Sequence, residues 1–384
     1  MTQNKKDFRT WLLKTDPGGC YLFSKSKLLK DFNYIKSNLE NNIILAYSYK
    51  TNFYKELCKA LNEVGCLSEV VSPSEVECTI GYGINPKDII YNGPNKDLTS
   101  IKYVLENYGL VNADSPSDLD LIEKVVETFP DDLYRVGLRL DLGLTEKTRF
   151  GFNINSNYFN EAISRIKNNK KIRFDCIHIH YPSRNLNSLE ARLKNLFDLI
   201  DSLEDKPENI DLGGSYSSLL SEALSEQLNI PRDNLLNSLR MINKFSKQIT
   251  SIGIKKIFLE PGTAIASNSF SLCGKVCSIN NRENYTIVNL NVSKMNIGNL
   301  DNNLNYPFKV YKSEKELNKA KQKDYLICGN TCIEKDIFYS GNYSSILLGD
   351  YIVFEGVGSY SFSFDNFFIN KPLKVINLPC EIYF

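Results

Sequence analysis

Between about residue 40 and residue 262 the chain alternates, eight times, between a short apolar run and a longer, more polar stretch. The runs are NIILAYSY (42–49), CLSEVVS (66–72), DIIYNG (88–93), GLVNADS (109–115), LYRVGLRLDL (133–142), FDCIHIHYP (174–182), NIDLGGS (209–215) and KIFLEPG (256–262). Their β-branched and aromatic content marks them as strands. The stretches between them, such as LCKALNEVG, IKYVLENYG and LDLIEKVVETF, carry apolar residues three and four positions apart, as a helix with one buried face does. SPSE (72–75) and SPSD (115–118) have the make-up of helix starts. Each offers a hydroxyl to cap free N–H groups, a proline for the first turn and an acid at the positive helix end. Strands that alternate with helices run parallel, because each helix carries the chain back. Eight such units predict a closed (β/α)8 TIM barrel.

After residue 262 the texture changes. SFSLCGKVCSI, YTIVNLNV, FKVYKS, DYLICG, YIVFEG and LKVINLP are strand-like, with Asn- and Gly-rich turns between them and almost no helical patterning. The expected organisation is α/β plus all-β: a barrel over 26–265, then a β-sandwich or β-barrel domain over 266–384 together with 1–25. The YLF run at 21–23 is expected to pair with the first barrel strand. NIGNLDNNLN (296–305) reads as a loop.

A net charge of +1 gives no electrostatic case for nucleic acid or an anionic membrane as partner. No apolar run approaches the ~20 residues of a membrane span, and the first residues do not resemble a signal peptide. Ten cysteines are scattered without a CxxC pair, and there are two histidines, so a zinc site is not expected. The chain reads as cytoplasmic with free thiols.

Barrels of this kind place chemistry at the C-terminal ends of their strands. Those ends here are Lys50, Ser72, Asn92, Asp114, Arg139, His180, Gly213–Gly214 and Glu260–Gly262. A lysine closing an apolar strand is either a head group reaching solvent or a desolvated amine suited to condensing with an aldehyde. DLGGS is either a tight turn or an anion cradle of backbone N–H groups. EPG is either a plain turn or a carboxylate for a cofactor's ring nitrogen. HIHYPS sets His178 and His180 on one strand face. With no third ligand near in sequence, a stacking or hydrogen-bonding histidine is expected there rather than a metal.

Together these segments resemble the pyridoxal-phosphate (PLP) decarboxylases of the ornithine/diaminopimelate group, which have the alanine-racemase-like fold (fold type III). The resemblance runs over nearly the whole chain. YSYKTN (47–52) is similar to that family's Y-x-x-K-x-N, which implies Lys50 as the lysine that carries PLP. SEVVSPSEV (68–76) is similar to D-V-x-S-x-x-E, with Glu69 for the usual Asp. HIHYPS is similar to H-x-H-x-G-S and implies His180 on the ring and Ser183 near phosphate, with Pro182 for the usual Gly. DLGGSY is similar to D-x-G-G-G and implies a phosphate loop of Gly213, Gly214 and Ser215. LEPG implies Glu260 at the pyridine nitrogen, with Gly262 against phosphate. CGNTCIEKD (328–336) is similar to G-x-x-C-x-x-x-D and implies Cys332 as a proton donor, with Asp336 beside it. FEGVGSYSF (354–362) is similar to F-E-x-x-G-A-Y and implies Tyr360 as a phosphate ligand. Arg139 joins the cofactor-binding set, and the resemblance implies a homodimer in which Cys332 reaches the neighbouring subunit's site.

The substrate side departs from the family. Its E-P-G-R reads EPGT here, with Thr263, and Ile333 rather than an acid follows Cys332. KMNIGNLDNNLNYP (294–307) keeps no arginine. Losing the partner of a desolvated charge costs about 2–5 kcal/mol, which argues against free diaminopimelate and less strongly against free ornithine or lysine. Glu334 is an acid nearby that would partly substitute. The expected substrate is an α-amino acid with a different or larger far end: a diamino acid or a conjugate of one, such as a citrate-linked siderophore intermediate. The alternatives are an ornithine, lysine or diaminopimelate decarboxylase of polyamine or lysine synthesis, a racemase on the same fold, and a non-catalytic PLP-binding homologue. Cys332 and Asp336 disfavour the racemase. The intact set Lys50, Gly213, Gly214, Glu260 and Tyr360 disfavours the non-catalytic protein.

Overall fold

The computed structural model describes residues 6–217, 222–227, 229–231, 233–298, 305–313, 322–364, 368–380 and 382–383. Of the loop 296–305, residues 299–304 lie outside this set. The chain divides into two compact units. One comprises Phe32–Ser217 and Asp233–Ala264. The other comprises the described residues of Met1–Asp31, Ser218–Arg232 and Ile265–Phe384.

The first unit is the barrel. Its strands are β1 (Ile43–Ser48), β2 (Leu67–Val70), β3 (Ile89–Tyr91), β4 (Leu110–Ala113), β5 (Tyr134–Asp141), β6 (Ile172–His178), β7 (Asn209–Asp211) and β8 (Lys256–Leu259). Each pairs in parallel with the next, and β8 pairs with β1, which closes the ring. All eight sequence runs are strands. A strand covered on both faces needs apolar side chains at successive positions, which is why the runs lack alternation. Ala46, Ile90, Leu110, Cys176 and Phe258, from five strands, fill one cluster of the interior. The two SPS segments start helices Pro73–Tyr82 and Pro116–Glu127. Ser72 accepts from the Glu75 amide and Ser115 from the Asp118 amide, with proline at the start of each helix.

The second unit is built on a mostly antiparallel sheet. The long strand Phe270–Asn281 is its spine, flanked by Tyr351–Glu355, Thr286–Leu290 and Cys20–Phe23. Thus the YLF run does not pair with the first barrel strand. Cys20–Phe23 pairs with Phe270–Cys273 and with Lys374–Asn377. The reason is burial: all four of its residues are inaccessible, and Cys20 and Leu22 pack with Phe8, Leu12, Cys273, Tyr351 and Val353 in this unit's own core.

Among the described residues no helix is long and apolar enough to cross a membrane. The ten cysteines are free thiols.

Candidate active site

The chemistry-bearing groups of the barrel unit gather at the C-terminal ends of its strands. β1 runs into a single 3-10 turn, Tyr49–Thr51, that lifts Lys50 out of the strand. The β1–β2 register sets Ser48 beside Glu69. Lys50 Nζ lies 2.6 Å from Ser48 Oγ and 2.7 Å from Glu69 Oε2, and the Ser48 hydroxyl donates to the same carboxylate oxygen. The lysine side chain is 32% exposed and the glutamate 1%, so the amine is partly open while its counter-ion is sealed. Burial pushes the Glu69 carboxyl up, but the Lys50 charge and donors from Lys50, Ser48 and Asn92 outweigh it and hold the group below the ordinary range.

β7 ends at Asp211 and enters the glycine turn. Gly213 has φ +64°, and a Cβ there would stand 2.6 Å from the Ile179 carbonyl. At Gly214 a Cβ would stand 2.8 Å from the Glu260 carbonyl, so neither position accepts a side chain without movement. The Gly213 amide donates to Asp211 Oδ1 at 2.9 Å and the Gly214 amide to His180 Nδ1 at 3.0 Å. The turn therefore orients Asp211 and His180 through its first two amides. Ser215 is also left-handed, at φ +72°, and is tied down by its hydroxyl on the Tyr181 carbonyl at 2.5 Å.

Glu260 follows β8 and is 2% exposed. Burial, then the neighbouring Asp211 and Glu69, push its carboxyl well above the ordinary range. Burial alone is the chief reason Asp211 is pushed up to about 7. Both histidines go the other way: desolvation, reinforced by nearby cations, keeps His178 far below its usual range and takes His180 to about 3. Each is a neutral imidazole at physiological pH, although Glu260 oxygens lie 3.8 Å from His178 Nε2 and 3.9 Å from His180 Nδ1. Among the described residues, neither ring nitrogen of His178 nor Thr51 Oγ1 has a hydrogen-bond partner. Buried polar atoms are rarely left so, and a cluster of them beside an uncompensated carboxyl fits a polar group that completes the site. A flat ring with a cationic nitrogen and an aldehyde meets these demands: Glu260 for the nitrogen, Lys50 for the aldehyde, neutral His180 for a face.

The fold also supplies what sequence spacing did not show, a third metal-type donor. His178, His180 and Glu260 each offer an atom within 4.8 Å of the others. The His180 nitrogen that faces Glu260 is Nδ1, which already accepts the Gly214 amide, so a cation there would have to break that bond.

The other expected site residues fall as follows. Arg139, buried on β5, holds Asp114 at 3.2 Å and lies 4.4 Å over the Phe150 ring. Ser183 is partly buried, and its amide donates to Glu146. Gly262 is packed so closely on Thr51 and Ser48 that a Cβ would collide. Thr263 starts a short helix, Thr263–Ala266. In the β unit, Cys332 and Glu334 are exposed and Ile333 is half-buried. Asp336 is buried, and its carboxylate accepts from the Lys294 amide, the Thr331 amide and the Thr331 hydroxyl. It braces the turn that presents residues 332–334 and is not an open ligand. Tyr360 is left-handed at φ +61° and stacks on Phe364. The sequence placed Asn92 among the strand ends without a specific role, and singled out none of Ser48, Asp211 or Asn112. The signal was present: each is a polar side chain inside or at the end of an otherwise apolar run.

Residues 25–267 match the family model of the pyridoxal-binding domain of pyridoxal-dependent decarboxylases. A probable ornithine decarboxylase of Dictyostelium discoideum is 24% identical over 376 residues, 91% of this chain and 76% of its own. The diaminopimelate decarboxylase of Staphylococcus aureus (strain COL) is 23% identical over 347 residues, 85% of this chain and 79% of its own. The crystal structure of diaminopimelate decarboxylase from M. jannaschii superposes with a TM-score of 0.83 at 20% identity, covering 96% of this chain and 89% of that one. The arginine decarboxylase of Paramecium bursaria Chlorella virus gives 0.76 at 18%, covering 96% and 99%.

Proposed function

Since the chain belongs to the pyridoxal-dependent decarboxylases, with pyridoxal phosphate as cofactor, we propose that it removes the α-carboxyl group of a diamino acid or of a conjugate of one. The observation that carries this reading is the hydrogen-bonded chain from Lys50 through Glu69 and Asn92 to Glu260 at the rim of one barrel.

When bound, the cofactor's ring takes up the electron pair that CO2 loss leaves on Cα. The protein's part is positional and electrostatic. Lys50 offers the amine to which the aldehyde would attach, and Ser48 and Glu69 hold that amine at the barrel rim. Glu260, costly to ionise alone, ionises readily opposite a cation, so it selects a protonated ring nitrogen. His180, neutral and anchored by Gly214, presents a flat face without adding charge. The glycine turn packs too closely on Ile179, His180 and Glu260 for a side chain, and its amides fix Asp211 and His180. Cys332, on a turn braced by Asp336, would be the general acid that returns a proton to Cα.

The identity of the far-end partner sets the substrate. Thr263 and Ile333 offer no charge to a distal carboxylate or ammonium, which favours a substrate whose far end is already joined to another acid, of the siderophore-intermediate kind. Free ornithine, lysine or diaminopimelate is the second reading, favoured by the names of the relatives. A substrate panel followed by CO2 release and product mass spectrometry separates them. The expected result is a kcat/KM for a conjugate at least about thirtyfold above those for free diamino acids, the difference one unmatched buried charge imposes. Efficient turnover of free diaminopimelate or ornithine would remove the conjugate reading.

We also propose a homodimer with shared sites, because Cys332 is exposed on its own β unit. Mixing the inactive variants Lys50→Ala and Cys332→Ala under conditions of subunit exchange is expected to restore activity, since one mixed site then has both groups. Mixtures as inactive as their parents would argue for self-contained subunits.

A further inference from the structure

We propose that Asn92 is a positioning residue of this centre, set so that two buried carboxylates with different duties can share one barrel rim. The proposal rests on the reading above, in which Lys50 carries the cofactor and Glu260 serves its ring nitrogen. Asn92 follows β3 and is 2% exposed. Its Nδ2 lies 3.1 Å from Glu69 Oε1 and 2.5 Å from Glu260 Oε1, so each amide hydrogen serves one carboxylate. The amide is not free to turn over. Asn112 on β4, itself 1% exposed, donates through Nδ2 to Asn92 Oδ1 at 2.8 Å. A flipped Asn92 would set its carbonyl oxygen against two carboxylates and its NH2 group against another.

The two carboxylates differ in what they have to compensate. Glu69 has Lys50 against it at 2.7 Å. Glu260 faces two neutral imidazoles, and the groups that surround it are Lys50 beyond β1, Glu69 on β2, His178 and His180 from β6, and Asp211 on β7, with Arg139 on β5 and Lys96 after β3 further out. Two like charges across a dry gap are relieved most easily by protonating one of them. Glu260 is the one that yields, and a protonated Glu260 cannot support a cationic ring nitrogen. By donating to both carboxylates, Asn92 stabilises the charged form of Glu260 and leaves the Lys50–Glu69 pair in place. Hydrogen bonds to ionised groups are the strong ones, so its loss should be measurable.

The test is Asn92→Leu, which keeps the volume and removes both donors, with folding checked by circular dichroism. Pyridoxal phosphate is titrated into the apoprotein, and the ring-nitrogen titration of the bound cofactor is followed by its near-ultraviolet and visible absorption. The dissociation constant is expected to rise about tenfold to a hundredfold. The absorption midpoint is expected to move down by about one to two pH units, because the ring cation loses a charged partner. In turnover, kcat falls while KM stays within about twofold, since the group acts on the chemistry and not on the substrate. Asn112→Leu leaves both donors but frees the amide, and should shift the midpoint in the same direction by less. A folded Asn92→Leu protein with unchanged affinity and midpoint overturns the proposal. If that variant does not fold, an unchanged midpoint in Asn112→Leu overturns it. Failure of the underlying reading shows separately, as a wild-type protein with no absorption band that Lys50→Ala removes.

Discussion

Replacing Lys50 by alanine is expected to abolish the visible absorption of the protein-bound cofactor and to lower kcat by at least about a thousandfold, as loss of a covalent anchor does. The size of the effect follows from geometry. The amine leaves β1 on a single turn of 3-10 helix and is met by a buried carboxylate and a hydroxyl at hydrogen-bond distance. No comparable outlay is needed for a lysine that only reaches solvent. The same substitution strands Glu69 without its cation. In the wild type the Glu69 carboxyl titrates below its ordinary range, so its contribution to stability is present above the ordinary carboxylate pKa and lost as pH falls through the native one. Lys50→Ala removes that contribution, so the variant's melting temperature should fall below the wild type's at neutral pH and converge on it in acid. Spectra and melting curves over pH 3 to 8 check both halves. An unaltered absorption band in the variant would mean that the amine does not hold the cofactor.

The barrel was legible because both of its periodicities are unmixed. Apolar runs such as IILAYS and LVNA are buried at nearly every position, and LDLIEKVVE buries one helical face. Where burial is one-sided or patchy, the reading weakened. IFYSGNY (337–343) is a strand whose residues are mostly half-exposed, with only Phe338 buried, and its polar positions hid it. FRTWLLKT (8–15) forms a helix that buries only Phe8 and Leu12, too few for a periodic signal. Cys20–Phe23 read as a strand but not as to its partner. Four consecutive buried residues say that both faces are covered and nothing about by what.

The site was legible in its ends and not in its links. Lys50, His180 and Glu260 stand out because each breaks an apolar run at the position where barrels do chemistry. Their spacing to one another is set by register, which the sequence does not display. Ser48 lies beside Glu69 because β1 and β2 pair there. Asn92 reaches both Glu69 and Glu260 because β3 pairs with β2, which carries Glu69, and β8, which precedes Glu260, joins the same closed ring through β1. Likewise the left-handed Ser215 looks in sequence like an ordinary member of a polar turn. Only the fold shows its hydroxyl holding Tyr181.

Glu260→Gln is expected to lower kcat by about 30- to 3,000-fold, the range for removing one partner of a desolvated charge pair, while making the apoprotein more stable. The two effects have one cause. The carboxyl is buried among Asp211 and Glu69, which raise its pKa in the folded state. A carboxyl raised on folding contributes stability that is fully present below its unfolded pKa and is lost as pH rises through the native one. At neutral pH the wild-type apoprotein therefore carries the cost of a proton retained or a charge uncompensated, and the amide does not. The stabilisation by Gln should vanish near pH 4 and grow with rising pH. Cofactor binding reverses the sign, because a cationic ring nitrogen compensates Glu260 and leaves the neutral amide with nothing to offer. Thus added pyridoxal phosphate should raise the melting temperature of the wild type by more than that of the variant. Thermal melts of both proteins from pH 4 to 9, with and without cofactor, measure the crossing. A variant that is fully active, or one that is destabilised at every pH, would show that this carboxyl is structural.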